Sequence, residues 1–381
     1  HPEVSTIPGV HLKGFFGHEV WQKLHTAPES PQWRERLVDN FCEAYQSIFH
    51  AASEHPVYGR PMGRRGAVGA SCGLTRMGPN RDEPLELPQV PFRAKLMELL
   101  SAKDSCDPRT FFELIHQAHD FALNRPSDSK QIIYHIHNPT LYEATNFLRH
   151  FPKARILRLI RDPLKNLDSW MFNSLNDAIE QAQNKDTNLL LRGYTMVTKR
   201  FIGLLRLVSS PLFQSGETRV LKLEDLKNEP EAMISSLARW MRIKEDDSLH
   251  QSTFYGRDFW GPHSHINPEL RGFDKSNIKS KGFSLLSAED RRRISLMFEA
   301  FQKAYGYLEN EETRDDESSD DFHADLNTPF DFERSLYAEF SKEDPPLEEL
   351  APFKRIRREA SLALRCQGQE TSHFPPRIQV P

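Results

Sequence analysis

The sequence predicts an α/β fold in which a parallel β-sheet is flanked by helices, and three observations support this class. A strand pattern at 131–136, a helical pattern ending near residue 150 and a strand pattern at 154–160 follow one another within about thirty residues. A further strand pattern comes later, at 218–223. Long amphipathic helical patterns separate these strands. Strand, helix and strand in this order predict two parallel strands joined by a right-handed crossover.

Composition narrows the classes of function that this chain can have. Its 381 residues suit one large α/β domain with appendages, and its net charge of −4 argues against a general nucleic-acid binder, whose surface would be basic. No run approaches the ~18 apolar residues of a membrane span. Cys42, Cys72, Cys106 and Cys366 show no paired spacing, which favours reduced thiols over a disulfide or zinc framework. The chain starts at His1 rather than Met, so its natural start is expected to be missing, and the lack of a visible signal peptide does not report on targeting. A cytoplasmic location is the working expectation.

The sequence of the first third of the chain predicts helices on either side of a flexible surface loop. Residues 19–52 have helical spacing, and one side of this pattern is apolar, with Trp33, Leu37, Phe41, Tyr45 and Phe49. The stretch 55–91 is rich in Gly, Pro and Arg, which favours a surface excursion or substrate lid over a phosphate cradle, because it lacks GxxxxGK[ST]. Two helices are predicted at 91–100 and 108–123.

The last part of the chain predicts a domain end followed by a tail. Helices are predicted at 189–207, 230–241 and 287–305, the last with Ser287 as N-cap and Asp290 at the matching capping-box position. Residues 309–322 contain eight acidic residues and one basic one, too charged to fold alone. The domain is therefore expected to cover 1–308, and 309–381 to form a disordered or extended tail, acidic and then basic and Pro-rich. Within that tail, 347–365 predicts a short amphipathic helix whose basic stretch, 354–358, is either solvated or a docking element.

The stretch 161–169 contains the first candidate site. Asp162 is predicted to cap a helix that starts at Pro163, so Arg161 lies at the carboxyl end of a strand with a helix amino terminus behind it. Ser169 lies two turns along that helix. A fixed cation, orphan N–H groups and the helix dipole would converge on one point and favour an anion. The alternative is that Arg161 forms an ion pair with its neighbour Asp162.

Two histidines at the end of the preceding strand form the second candidate site. In a parallel sheet, His137 and Arg161 would lie at the same edge, where α/β proteins bind ligands. His137 is then either a general base or a cap of the turn that follows. The role of general base is one that a neutral histidine can fill near physiological pH. His135 lies on the same face of the strand and either orients a substrate or packs. His263 and His265 lack a third ligand, so no metal is predicted.

In this order, the motifs resemble those of bacterial-type sulfotransferases that use 3′-phosphoadenosine 5′-phosphosulfate (PAPS) and have a P-loop NTPase-like fold. Arg161 and Ser169 have the spacing of the family's Arg and Ser that hold the 3′-phosphate. The segment 135–139 resembles the family's Lys-x-His-x-Pro, which implies that His137 is the catalytic base and that His135 replaces the lysine. Leu223-Glu-Asp is similar to the family's Tyr-Glu-Asp, with Leu223 in place of the adenine-contacting tyrosine.

The resemblance covers residues 1–308 and implies a sulfuryl transfer from PAPS, without a metal, to a hydroxyl or amine of a small-molecule, carbohydrate or peptide acceptor. The basic and glycine residues expected to close over the 3′-phosphate are Arg271, Gly272, Lys279, Lys281 and Gly282. The family's phosphosulfate loop, of the Pro-(Lys/Arg)-Ser-Gly-Thr-Thr kind, is absent. We therefore expect the first strand, the loop and the helix after it to be missing from this fragment, which should be inactive without them. The alternative is a natural loss of the loop, which would make the protein a pseudoenzyme.

Two other functions stay open at this point. A non-catalytic, degenerate sulfotransferase-like scaffold would keep the fold without the chemistry. A nucleotide kinase of the same fold would need GK[ST] and an aspartate for Mg²⁺, and neither is found in the right place. The sequence predicts no nucleic-acid partner, and it leaves the oligomeric state open.

Overall fold

The computed structural model describes residues 1–56, 65–66, 68–125, 130–136, 141–171, 187–209, 217–261, 273, 286–308, 326, 328–340, 351–367 and 374–379. The chain divides into two compact units. Unit 1 comprises 1–154, 230–274 and the last two residues, and unit 2 comprises 155–229 and 275–379. Each unit has a hydrophobic core of its own.

Helices and short strands alternate along the described chain. The strands are β1 (Val4–Ser5), β2 (His55–Pro56), β3 (Arg65–Gly66), β4 (Gln131–Ile132), β5 (Ile156–Ile160), β6 (Thr218–Lys222), β7 (Thr253–Phe254) and β8 (Arg257–Asp258). The helices of the first half are α1 (Val20–Leu24), α2 (Trp33–Ala44), α3 (Val68–Ser71), α4 (Gln89–Ser101), α5 (Pro108–Ala122), α6 (Leu141–His150) and α7 (163–171). Those of the second half are α8 (Thr187–Ser209), α9 (Leu223–Asn228), α10 (Pro230–Met241), α11 (Ala288–Met297), α12 (Glu299–Ala304), α13 (Asp331–Phe340) and α14 (Ala351–Gln367).

The core of unit 1 is rich in aromatic residues from α2, α4, α5 and the loops around them. The apolar side predicted within 19–52 is buried as expected, from Trp33 to Phe49. The helical spacing predicted over 19–52 does not form one helix, however, because α1 ends at Leu24 and α2 begins only at Trp33. Pro28 and Pro31 lie in the gap, and proline lacks the N–H that a helix interior needs.

The predicted parallel sheet is only partly present in the described residues. In unit 1, β4 pairs in parallel with β1, and in unit 2, β5 pairs in parallel with β6. The helix predicted within 131–160 forms, and so does β5, but β4 covers only Gln131–Ile132 of the strand predicted at 131–136. Strands β4 and β5 also belong to different units and take other partners. The observed architecture is therefore a mixed α/β one with two-stranded sheets, and a larger P-loop-like sheet is not seen among the described strands.

Unit 2 differs from the expected tail beyond residue 308. Leu326, Phe330 and Phe332 are buried in its core, and so are Ile356 and Ala360 of α14. The amphipathic helix predicted at 347–365 corresponds to α14, which packs along α8. Its apolar side therefore covers the apolar side of α8, so the segments 328–340 and 351–367 belong to the folded unit.

Within the described ranges, no helix is long and apolar enough to cross a membrane. The longest helix, α8, covers Thr187–Ser209 and has basic residues along its length.

Candidate functional site

The carboxyl ends of β5 and β6 lie side by side in unit 2. The last paired residues of the two strands are Ile160 and Lys222. Arg161 and Leu223 each follow directly after this pair, so the chain leaves both strands at one edge of the sheet with these two residues. Two residues that the sequence predicts as site residues are thus neighbours through the strand register. This edge is the place where parallel α/β sheets bind ligands.

A capped helix begins at the same edge. The backbone N–H of Leu164 donates to Oδ1 of Asp162 at 2.8 Å, and the N–H of Asn166 donates to the Asp162 carbonyl oxygen at 2.8 Å. These bonds confirm that Asp162 is the N-cap of α7 and that Pro163 takes its first position. Ser169 is half-buried on α7, about 9 Å along the axis from the start of the helix at 1.5 Å per residue. Arg161, Ser169 and Leu223 thus belong to one substructure.

Glu224 links this edge to the residues that follow α12. Its Oε1 accepts a hydrogen bond from the N–H of Asp162 at 3.4 Å, and its Oε2 accepts one from the Tyr307 hydroxyl at 3.1 Å. Burial raises the pKa of Asp162 above its ordinary value, and the nearby Glu224 raises it further, although hydrogen bonds from Leu164 and Lys165 oppose the shift. Burial and Glu224 also raise the pKa of Tyr307. Perturbed titratable groups at a strand edge are typical of functional sites.

Lys222 is a cation of this edge that the sequence analysis did not single out. Its side chain is buried, and its Nζ donates to the Tyr305 carbonyl oxygen at 3.0 Å. The same Nζ lies 4.3 Å from the ring centroid of Tyr307. Burial lowers the pKa of Lys222. The signal in the sequence was its position as the last residue of a strand pattern, directly before Leu223. A lysine in contact with an aromatic face and a carbonyl oxygen is held in place, so it contributes a fixed charge.

Helix α7 is held against α11 by an ion pair that the sequence did not indicate. Arg291 donates to Oδ2 of Asp168 at 2.8 Å, and the Asp168 side chain is almost fully buried. Asp168 is the residue before Ser169, so this bond fixes the turn of α7 that carries the serine. A buried carboxylate is retained only when it is paired, which makes Arg291 a positioning residue for this part of the site.

The remaining predicted site residues lie in unit 1 or outside the described residues. His135 lies in unit 1 and is exposed, and its main chain packs so closely on Gly9 that a methyl group there would meet the His135 carbonyl oxygen at 1.7 Å. His137 lies outside the described residues, and so do Arg271, Gly272, Lys279, Lys281 and Gly282. His263 and His265 also lie outside them. In the part of the chain that the structure describes, no group of three or more His, Cys, Asp or Glu residues is arranged to hold a metal ion.

A second set of perturbed groups is buried inside unit 1. His119 Nε2 lies 2.6 Å from the Tyr255 hydroxyl, and Lys130 Nζ lies 3.3 Å from Asp120 Oδ2. Tyr255 is at the tip of the β7–β8 hairpin with φ 54°, a left-handed conformation that is unusual for a bulky residue. Burial lowers the pKa of His116, one turn before His119 on α5, to about 3. The contact between His119 and Tyr255 ties the hairpin to α5.

Comparison with known proteins adds no assignment to this geometry. No family model, no curated protein and no solved structure matches this chain. Inference about function therefore depends on the residues of the chain and on their arrangement at the β5–β6 edge.

Proposed function

We propose that this chain is a PAPS-dependent sulfotransferase that moves a sulfuryl group to a hydroxyl or amine acceptor. The observation that supports this most is the β5–β6 register, in which Arg161 and Leu223 leave the sheet together beside a helix that carries Ser169. These are three positions at which the resemblance expects contacts with the adenosine 3′-phosphate part of the donor. Arg161 and Ser169 were predicted from one motif, and Leu223 was predicted from another motif about sixty residues later in the chain. This separation is compatible with successive strand–helix–strand units of an α/β fold.

In this proposal, side chains rather than backbone N–H groups hold the 3′-phosphate. The Asp162 carboxylate already accepts the Leu164 N–H at the first turn of α7, so that turn offers less to an added anion. The Arg161 guanidinium supplies the charge and can donate two parallel hydrogen bonds to a phosphate. The Ser169 hydroxyl adds a neutral donor. The charged carboxylates of Asp162 and Glu224 limit how strongly this edge attracts an anion, and Lys222 offsets part of their charge.

The chemistry follows from the proton that the acceptor must lose. The acceptor oxygen or nitrogen forms a bond to sulfur while the bond from sulfur to the phosphate oxygen breaks, and 3′,5′-diphosphoadenosine leaves. The acceptor proton passes to a ring nitrogen of His137, because histidine is the side chain whose ordinary pKa suits it to act as a base near neutral pH. As in phosphoryl transfer, most of the rate enhancement comes from positioning and electrostatics. Arg161 and Ser169 contribute by holding the donor in line with the acceptor.

The experiment that tests this proposal compares two nucleotides by titration calorimetry. The chain should bind 3′,5′-diphosphoadenosine more tightly than adenosine 5′-monophosphate. Arg161→Ala should remove most of that preference, about 2 kcal/mol or roughly thirtyfold for a charge-assisted pair. Arg292→Ala is a matched control, since Arg292 pairs with Glu289 on its own helix and should leave the preference unchanged.

Melting temperatures of the variants must be measured beside the titrations, because a loss of folding would imitate a loss of binding. A wild-type chain without any preference for the 3′-phosphorylated nucleotide would contradict the proposal. That result would favour the non-catalytic scaffold, which keeps the strand edge without a use for the 3′-phosphate.

A further inference from the structure

Helices α8 and α14 concentrate positive charge on unit 2. Helix α8 contains four basic residues and no acidic one, and α14 contains five basic residues and one acidic one. The whole chain has a net charge of −4, so these two helices carry a strong local excess of opposite sign. The two helices pack along each other. A local basic surface on a chain of net negative charge attracts anionic groups to that surface.

The outward side of α14 is basic because its apolar side is already buried. Ile356, Ala360 and Ala363 are in the core of unit 2. At helical spacing from these residues, the opposite side presents a stripe of exposed residues: Arg355, Arg358, Leu362 and Arg365. Within the described residues, no ion pair involves these three arginines. The stripe also contains an exposed apolar residue, since Leu362 is 44% exposed.

A second stripe on α8 adjoins the first. Its residues, spaced by three and four, are Met196, Lys199, Gly203 and Arg206. Arg206 donates two hydrogen bonds to Glu359 of α14, at 3.1 and 2.7 Å, so the two stripes meet at this pair. We call the two stripes together the basic face. Met196 is 45% exposed, which gives this face a second apolar contact.

Gly203 leaves an open notch in the basic face. A Cβ atom built on Gly203 would meet no heavy atom within 4 Å, although this residue lies in the interior of α8. Glycine in a helix interior is unfavourable relative to alanine, and no neighbour within unit 2 requires its small size. The notch lies one turn from Lys199 and one turn from the Arg206–Glu359 pair, so a chain that binds there would approach the backbone of α8 beside Lys199.

We propose that the basic face is a docking surface for an acidic peptide segment of a partner protein, one that carries apolar residues among its carboxylates. Arg355, Arg358, Arg365 and Lys199 fit the carboxylates, and Met196 and Leu362 fit the apolar side chains. A lipid surface is disfavoured because the apolar side of α14, which would have to enter the bilayer, is taken by the core of unit 2. A nucleic-acid backbone would leave the two exposed apolar residues without a use.

The first test measures binding of a fluorescent, glutamate-rich synthetic peptide that contains two leucines, by anisotropy at low and high salt. A peptide with lysine in place of glutamate is the probe control. We expect binding of the acidic peptide only, weakened by salt because the pairs are exposed. Arg355→Glu with Arg358→Glu should weaken it about tenfold or more, since each change replaces attraction by repulsion. Lys23→Glu with Arg36→Glu alters the net charge equally on unit 1 and should leave affinity unchanged.

The second test fills the notch without harming the helix. Gly203→Gln should weaken peptide binding several-fold while the melting temperature stays the same or rises, because glutamine has the higher helix propensity. A fall in peptide affinity without a fall in melting temperature distinguishes a loss of docking from a loss of folding. Equal affinity in wild type, the Arg355/Arg358 double variant and Gly203→Gln would overturn the proposal. Tighter binding to phosphatidylserine vesicles or to duplex DNA than to the peptide, lost in the double variant, would overturn it as well.

Discussion

Replacing Asp162 by alanine and by asparagine separates the two roles of this side chain at the β5–β6 edge. As N-cap, its Oδ1 accepts the Leu164 N–H at 2.8 Å. As a charge, it lies beside Glu224, whose Oε1 accepts the N–H of Asp162 at 3.4 Å. Asparagine keeps the accepting oxygen and loses the charge, whereas alanine loses both.

The expected changes in the free energy of unfolding follow from these contacts. Losing the cap in Asp162→Ala should reduce the free energy of unfolding by about 1 kcal/mol, within a range of about 0.5–2 kcal/mol. For a unit of this size, that corresponds to a fall in melting temperature of roughly 2–4 °C. Asp162→Asn should be close to wild type or slightly more stable at neutral pH, because it removes a partly buried charge that faces another carboxylate.

The pH dependence gives the sign of the charge effect. Burial and Glu224 raise the pKa of Asp162 in the folded state, so the folded state holds this proton more tightly than the unfolded state. The stability that Asp162 contributes by titrating is therefore complete below the ordinary aspartate pKa and is lost as pH rises through the raised value. The Asn variant lacks this loss, so its stability relative to wild type should increase as pH rises through that acid range.

Urea unfolding at a series of pH values, followed by circular dichroism, measures these differences. The midpoint of unfolding should fall in Asp162→Ala at every pH above the acid range, and the slope should not change. Asp104→Asn, at an exposed carboxylate of unit 1, is the control for a general charge effect. Equal stability of the Ala and Asn variants at neutral pH would refute the capping role. An Asn variant that loses stability relative to wild type as pH rises would refute the assigned direction of the pKa.

Three further predictions concern unit 1 and the proposed base. Tyr255→Phe removes the hydroxyl 2.6 Å from His119 Nε2 and should lower the free energy of unfolding by about 1–3 kcal/mol in urea titrations, because a buried group loses its partner; an unchanged midpoint would contradict the bond. Asp120→Asn should lower the free energy of unfolding by about 3–5 kcal/mol in the same assay, because Lys130, whose Nζ lies 3.3 Å from Asp120 Oδ2, would keep a buried charge without its counter-ion. A decrease below about 1 kcal/mol would argue against that pairing. In the protein extended upstream to include the phosphosulfate loop, His137→Gln should slow single-turnover sulfuryl transfer by roughly 10²- to 10⁴-fold with unchanged affinity for 3′,5′-diphosphoadenosine, and near wild-type transfer would show that His137 is not the base.

Local signals in the sequence predicted most of the helices and the caps. The cap at Asp162 and the cap at Ser287, which accepts from the Asp290 N–H at 3.0 Å, were both predicted from residue types next to a helical pattern. Helix α10 was predicted with its observed bounds, 230–241. These signals act between residues a few positions apart, so the sequence alone contains them.

Partners that are distant in sequence were not predictable in the same way. Asp290 was expected to complete the cap of its own helix, but its carboxylate accepts the N–H groups of Asp331 and Phe332 at 2.7 and 3.0 Å. This bond fixes the start of α13, inside the region expected to be a tail. The acidic composition of 309–322 suggested disorder beyond that segment too, and the burial of Phe330 and Phe332 could not be read from it.

For the candidate site, the sequence by itself determined which residues stand at the strand ends and where α7 begins. Apolar periodicity, proline and a capping carboxylate are local, and together they placed Arg161, Asp162 and Ser169 correctly along the chain. Only the tertiary structure decided that β5 pairs with β6, that Lys222 and Glu224 join Arg161 at that edge, and that Tyr307 is bound there. Strand pairing and these hydrogen bonds join residues some sixty to eighty positions apart, and their meeting is set by packing of the whole unit rather than by any local preference.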